Sequence, residues 1–194
     1  MGYAVVMIDG RGSYNRGLAF ESHLKHRMGT VELEDQIKGL EYVASAYPHI
    51  DTTRVAINGW SYGGYVSLMG VAQHGDIFKV CIAGAPVTTW SLYDTAYTER
   101  YMGSLTEQAD AYSRGSVMSY VDQFPDTENR VLIVHGLIDE NVHFKNTEQL
   151  IDALVRAQKP HQLQIYPNER HGIRHPSANE HFDCLTFTFL HHHL

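Results

Sequence analysis

Residues Arg54-Val55-Ala56-Ile57-Asn58 form a strand-like run that leads into Gly59-Trp60-Ser61-Tyr62-Gly63-Gly64, a Gly-x-Ser-x-Gly motif followed by Tyr65-Val66-Ser67-Leu68-Met69. This order predicts a strand that ends, a sharp turn centred on Ser61 and a helix that begins at once. Glycines at 59, 63 and 64 suit the turn, because side chains there would clash where backbone segments crowd together. The strain lifts the serine oxygen clear of the sheet. The following helix aims its N-terminus at the same place, where backbone N–H groups can stabilise a developing oxyanion. A Gly-rich turn carrying a solvent-exposed serine would look the same in isolation, so the rest of the chain has to decide.

Strand and helix signals alternate on both sides of this turn. Tyr3 to Asp9 carries a buried-strand pattern and is expected to be a strand, with Asp9-Gly10-Arg11-Gly12-Ser13 as the loop at its end. Leu33, Ile37, Leu40, Val43 and Tyr47 fall three or four apart, which marks one apolar face of a helix that Pro48 stops. The helix after Ser61 is expected to run to about residue 74. Phe78 to Gly84 reads as a second buried strand, and residues 87–120 as helices and loops. Val131 to His135 is a third strand, followed by a helix with Leu150, Leu154 and Val155 on its apolar side. Gln162 to Tyr166 is a final strand, closed by Pro167. Phe182, Leu185, Phe189 and Leu190 recur at helical spacing in a last helix from about 179 to 193. The alternation predicts an α/β fold, a parallel sheet covered by helices on both faces.

Composition narrows the function classes. The chain has 194 residues, 43% hydrophobic and 19% charged, with a formal net charge of −7, which describes one globular domain of ordinary make-up. A mildly acidic chain with no Lys/Arg run argues against nucleic acid or an anionic membrane as partner. No apolar stretch approaches the roughly 18–20 residues of a membrane span, and no signal segment opens the chain. Cys81 and Cys184 lie in apolar contexts without metal-ligand spacing and read as reduced core residues, which fits a cytoplasmic protein. The run His191-His192-His193 reads as a solvated helix end rather than a metal tract, and neither metal nor cofactor is expected. A buried-strand pattern at the very start needs sheet neighbours on both sides. The chain is therefore expected to be a piece of a longer protein or the product of a truncated gene reading.

In a doubly wound sheet, reactive groups gather where the strands end. Gly136-Leu137-Ile138-Asp139-Glu140-Asn141 follows the strand at 131–135, and Glu169-Arg170-His171-Gly172 follows that at 162–166. The order Ser61, Asp139, His171 is the order of an α/β-hydrolase triad. A serine hydroxyl is a poor nucleophile near neutral pH and needs a base, for which His171 is the candidate. Asp139 would hold the other ring nitrogen and stabilise the imidazolium that forms. Asp94, Asp152, His135, His175 and His181 compete for these roles. Asp152 falls inside a predicted helix, His135 is expected to point into the sheet, and His175 is the most serious rival.

Several longer motifs carry a resemblance. Gly59 to Tyr65, Asp94-Thr95-Ala96-Tyr97-Thr98-Glu99-Arg100-Tyr101-Met102-Gly103, His135 to Phe144 and His171-Gly172-Ile173-Arg174 resemble the dipeptidyl peptidase branch of the prolyl oligopeptidase (S9) family. Ile82 to Thr88 and Gln164 to His171 look most like its cytosolic members. The resemblance runs from Gly2 to the end and implies the C-terminal portion of an α/β-hydrolase catalytic domain, residues 1–194. It implies serine peptidase activity on peptides with a free N-terminus, releasing dipeptides with proline or alanine second, and a homodimer formed partly through the last helices. By the same resemblance Ser61, Asp139 and His171 are catalytic, and the Tyr62 N–H is one oxyanion donor. Tyr62, Val87, Trp90, Tyr93, Tyr97 and Val142 would line the pocket for the proline ring, and Asn141 would bond a substrate carbonyl. Tyr93 and Tyr97, four apart on a predicted helix, also fit simple core packing.

In that family a tyrosine upstream supplies the second oxyanion donor, and a β-propeller supplies glutamates for the substrate amine. Neither that tyrosine nor the propeller is expected within this sequence. Losing one oxyanion donor typically costs about 2.7–4 kcal/mol of barrier, so weak or no turnover is expected from this chain alone. Two alternatives stay open: another serine hydrolase of the same fold, such as an esterase or acylaminoacyl peptidase, and a non-catalytic binding protein.

Overall fold

The computed structural model describes residues 2–194. Four strands, β1 (Val55–Trp60), β2 (Phe78–Gly84), β3 (Val131–Gly136) and β4 (Gln162–Tyr166), form one sheet in the order β1-β2-β3-β4. Every neighbouring pair is parallel. Helix α1 (Val31–Ala46) precedes the sheet; α2 (Tyr62–Gln73) connects β1 to β2. Short helices α3 (Thr95–Met102) and α4 (Ala109–Arg114) lie between β2 and β3. Helix α5 (Lys145–Arg156) leads to β4, and α6 (Pro176–His193) closes the chain.

The period-two alternation of the central strands divides the interior. Cys81 and Ala83 of β2 with Val131 and Ile133 of β3 face a large core that includes Leu68, Met69 and Val71 of α2 and Leu150 and Leu154 of α5. Val80, Ile82, Leu132 and Val134 face the opposite side, where Phe182, Leu185 and Phe189 of α6 pack. Both faces of the sheet are thus covered, as parallel sheets require. The four strands fall at or within two residues of their sequence-predicted positions.

Four readings are corrected. Residues 3–9 form no ladder: β1 pairs with β2 alone among the described residues, and Val5 and Met7 are 84% and 92% exposed. Their apolar pattern meets no partner strand, and the segment is attached instead to α1. There Gln36 donates to the Ile8 carbonyl at 3.0 Å, and Arg11 is clamped by Asp35 at 2.7–3.0 Å. Val155 is 62% exposed, because Leu150 and Leu154 set the buried face of α5 and the next residue is turned about 100° away. Cys81 is buried, and burial pushes its thiol well above the ordinary range, but Cys184 is exposed on α6. Tyr93 precedes α3 rather than lying on it, because Asp94 caps that helix by accepting the Tyr97 N–H at 3.1 Å.

At the end of α6, His191 and His192 are exposed, and His193 rests edge-on against Phe189. No group of His, Cys, Asp or Glu among the described residues could hold a metal, and no described helix is long and apolar enough to cross a membrane.

The division of α5 into faces gives a stability test. Leu154→Ala should lower unfolding free energy by about 2–5 kcal/mol, whereas Val155→Ala should change it by less than about 0.5 kcal/mol. Urea midpoints of the two variants measure the contrast.

Candidate active site

The C-terminal ends of β1, β3 and β4 lie along one edge of the sheet, with β2 between β1 and β3, and the chain just past each delivers one polar side chain to a shared site. At the end of β1 the chain turns through Ser61, whose φ of 59° is left-handed, a rare conformation for a residue with a side chain. Close backbone approach makes this turn. A Cβ at Gly59 would lie 2.7 Å from the Gly63 Cα, and one at Gly64 would lie 2.6 Å from the Gly84 carbonyl oxygen. Gly63 differs from expectation, since open space surrounds its Cβ position. The Ser61 N–H donates to the Gly84 carbonyl at 2.8 Å, which pins the turn to the end of β2. The Tyr62 N–H opens α2, among the first four N–H groups that find no partner within a helix.

Ser61 Oγ lies 2.9 Å from His171 Nε2, and His171 Nδ1 lies 2.8 Å from Asp139 Oδ2. With Nδ1–H donating to the carboxylate, Nε2 is left to accept the serine proton. Asp139 is buried, and its other oxygen accepts the backbone N–H groups of Asn141 at 2.9 Å and Val142 at 3.0 Å. Burial pushes the carboxyl pKa up, but the hydrogen bonds from His135, His171 and Asn141 outweigh it and hold Asp139 below the ordinary range.

The loop that carries His171 is anchored at several points. Leu137 and Ile138 donate backbone N–H groups to the carbonyls of Tyr166 and Glu169, at 2.9 and 3.1 Å, zipping the loops after β3 and β4 together. The buried Glu169 carboxylate accepts the N–H of Arg174 at 2.8 Å and of His175 at 3.3 Å, and pairs with the His175 ring. Trp60 Nε1 donates to the carbonyl of His171 itself at 2.6 Å.

The competing residues are committed elsewhere. His175 belongs to Glu169, Asp94 caps α3, and Asp152 pairs with Arg156 at the surface at 3.0 Å. His181 meets the Tyr166 hydroxyl at 2.8 Å. His135 does point into the interior, yet its ring reaches Asp139.

Beside the serine stands an aromatic cluster. Trp90 is buried, with Tyr62, Tyr93 and Tyr97 around it at ring-centroid distances of 5.7, 6.0 and 6.1 Å. Val87 and Val142 are buried, so they back this wall rather than forming its open surface. The Tyr93 hydroxyl donates to Asn141 Oδ1 at 2.7 Å, which leaves the Asn141 amide N–H groups as donors on an exposed side chain. Beneath the cluster, Glu32 of α1 accepts the Tyr62 hydroxyl and the Gly29 N–H, while its other oxygen is buried without a partner. Desolvation raises the Glu32 pKa above the ordinary range.

A serine, a histidine and a buried carboxylate in hydrogen-bonded series beside an apolar wall suit acyl transfer, and comparison with known proteins agrees. The family model for the prolyl oligopeptidase family, Peptidase S9, matches residues 1–194. The chain belongs to that family. It is 54% identical over all 194 residues to dipeptidyl peptidase 8 of Mus musculus, and 54% identical over the same span to dipeptidyl peptidase 8 of Homo sapiens. These alignments cover 100% of this chain and 22% of each relative, so the chain spans about a fifth of the length of these family members. The crystal structure of Porphyromonas gingivalis dipeptidyl peptidase 4 superposes with a TM-score of 0.89 at 36% identity, covering 96% of this chain and 26% of that one. The likeness fixes the S9 α/β-hydrolase fold for the region that carries Ser61, Asp139 and His171.

Sequence reasoning missed two supporting residues of this candidate site. Glu32 lies in no motif and Glu169 was read only as a neighbour of His171, and what they bind appears only once α1 and the β4 loop are in place. Glu169 accepts N–H groups that stabilise its ionised form, chiefly that of Arg174, and its pKa is lowered. Its contribution to stability is therefore complete above the unfolded-state value of about 4.3 and is lost as pH falls through the lower folded value. Glu169→Gln should remove this part of the acid dependence. The protection factor of the Arg174 amide, its exchange rate relative to the intrinsic rate at the same pH, followed from pH 6 down to about 3, should fall towards acid in the wild type and stay independent of pH in the variant.

Proposed function

We propose that this chain carries the reaction centre of a serine exopeptidase of the dipeptidyl peptidase type, with Ser61 as nucleophile, His171 as base and Asp139 as the acid that orients it. The hydrogen-bonded series from Ser61 Oγ through His171 to Asp139 carries the reading. As Ser61 Oγ attacks the scissile carbonyl carbon, its proton passes to His171 Nε2. The carbonyl oxygen gains negative charge and takes the Tyr62 N–H at the head of α2, where the helix dipole adds to the donor. The tetrahedral adduct then collapses. The C–N bond breaks, His171 gives its proton to the departing amine, and the dipeptidyl group remains as an ester on Ser61. Water attacks the ester with His171 again as base, which returns the free serine.

Specificity follows from the aromatic wall. Tyr62, Trp90, Tyr93 and Tyr97, backed by Val87 and Val142, offer flat apolar surface to a small ring such as proline. Asn141, with its carbonyl oxygen occupied by Tyr93, offers N–H groups to a substrate carbonyl. The names of the relatives support peptides with a free N-terminus as substrates. Self-association through α6, whose Phe187 is 50% exposed, fits the same reading.

A fluorophosphonate serine probe tests the assignment. Labelling of the wild-type chain should vanish in Ser61→Ala and fall by at least about 10³-fold in His171→Ala, the scale of losing the base. Dipeptide–proline amides run beside short acyl esters separate a peptidase from an esterase, and only turnover of the amides supports the peptidase. A folded wild-type chain that does not react would overturn the reading that this chain alone is an enzyme.

A further inference from the structure

His135, the next-to-last residue of β3, is fully buried and has no place in proton transfer to Ser61. Its ring nevertheless touches three polar groups. Nδ1 lies 2.7 Å from Thr147 Oγ1, and Nε2 lies 2.8 Å from the Val142 carbonyl and 3.2 Å from Asp139 Oδ2. A carbonyl oxygen can only accept, and an ionised carboxylate can only accept, so Nε2 must carry the hydrogen. In the neutral ring Nδ1 then accepts from the Thr147 hydroxyl, and Thr147 in the first turn of α5 selects the tautomer from behind. The ring of Phe144 stands edge-on to the imidazole at 5.5 Å and closes the remaining side.

We propose that His135 is a positioning residue for the reaction: its Nε2–H holds Oδ2 of Asp139 from the sheet side while His171 takes the same oxygen from the solvent side. The inference rests on the peptidase reading above. The Asn141 and Val142 N–H groups occupy Oδ1, so His135 completes a set of four donors around the carboxylate. Three of these belong to loops. His135 alone projects from a strand, and it ties the acid of the triad to the rigid sheet. Without it the carboxylate could rotate, and Oδ2 would lose the partner that fixes its direction towards His171 Nδ1. Among the described residues, the Asp139 side chain faces no charged or titratable group other than these two histidines within hydrogen-bond reach.

Two variants of the full chain separate positioning from packing. His135→Phe keeps an aromatic ring, a larger one, and loses both nitrogens. His135→Gln places an amide N–H where Nε2–H stood. Serine-dependent fluorophosphonate labelling should slow on the order of tenfold in the Phe variant, the scale of one hydrogen bond to a charged group, and return to near the wild-type rate in the Gln variant. Proton NMR supplies a signature that packing alone would not move. The His171 Nδ1–H resonance, shifted downfield by its bond to Asp139, should move or broaden in the Phe variant and return in the Gln variant. In ¹⁵N-histidine spectra of the wild type, His135 should carry its hydrogen on Nε2. Unchanged labelling and an unchanged His171 resonance in a folded Phe variant would overturn the proposal, as would hydrogen on Nδ1 alone of His135, or a Gln variant no better than Phe. If the wild-type chain shows no Ser61-dependent labelling, the peptidase reading fails, while the tautomer and the His171 resonance still decide the role of His135.

Discussion

The site depends on a backbone that turns where backbones rarely turn. Ser61 sits at a φ of 59°, a conformation that costs on the order of 1–3 kcal/mol for a residue with a side chain. It persists because the structure around it leaves no alternative. Gly59 lets the chain ending β1 lie against Gly63, Gly64 lets α2 lie against the end of β2, and the Ser61 N–H closes onto Gly84. A larger side chain at 59 or 64 would push backbone from backbone. The same close packing brings the head of α2 beside the serine oxygen, so the Ser61 hydroxyl and the Tyr62 N–H come from adjacent residues of one turn.

Around that turn the chemistry is held by acceptors saturated with donors. The Asp139 carboxylate collects two backbone N–H groups and two imidazoles, and Glu169 collects two backbone N–H groups and one imidazole. Both are buried, where an unpaired carboxylate would be costly. Each therefore draws its own loop inward and fixes it. Glu32 stands apart, with one buried oxygen satisfied and the other left unpaired beneath the aromatic wall.

The placing of Ser61, Asp139 and His171 near one another was legible in the sequence because their positions are dictated by local rules. A Gly-x-Ser-x-Gly motif after a β-branched run has few structural solutions, and apolar strands of five to seven residues place Asp139 and His171 just past strand ends. The misreadings have a common cause. A pattern of apolar residues reports what a segment would do if a partner met it. Residues 3–9 have the pattern of a buried strand and lie exposed, Val155 lies one position off the buried face, and Cys184 sits in an apolar neighbourhood on the wet side of α6. Likewise His135 was legible as buried but not as bonded, since its link to Asp139 requires the loop after β3 to fold back over four residues. Tertiary pairing, not local propensity, decided each of these positions.

The hydrogen bond from Trp60 to the carbonyl of His171 gives the site a common frame of reference. Trp60 immediately precedes Ser61, so the indole that holds the His171 backbone grows from the same strand end as the serine. A displacement of the end of β1 would be passed through this bond to the His171 backbone as well as to Ser61, so their separation would change less than either position. The serine–histidine distance is in this sense a differential quantity, shielded from the breathing of the sheet beneath it.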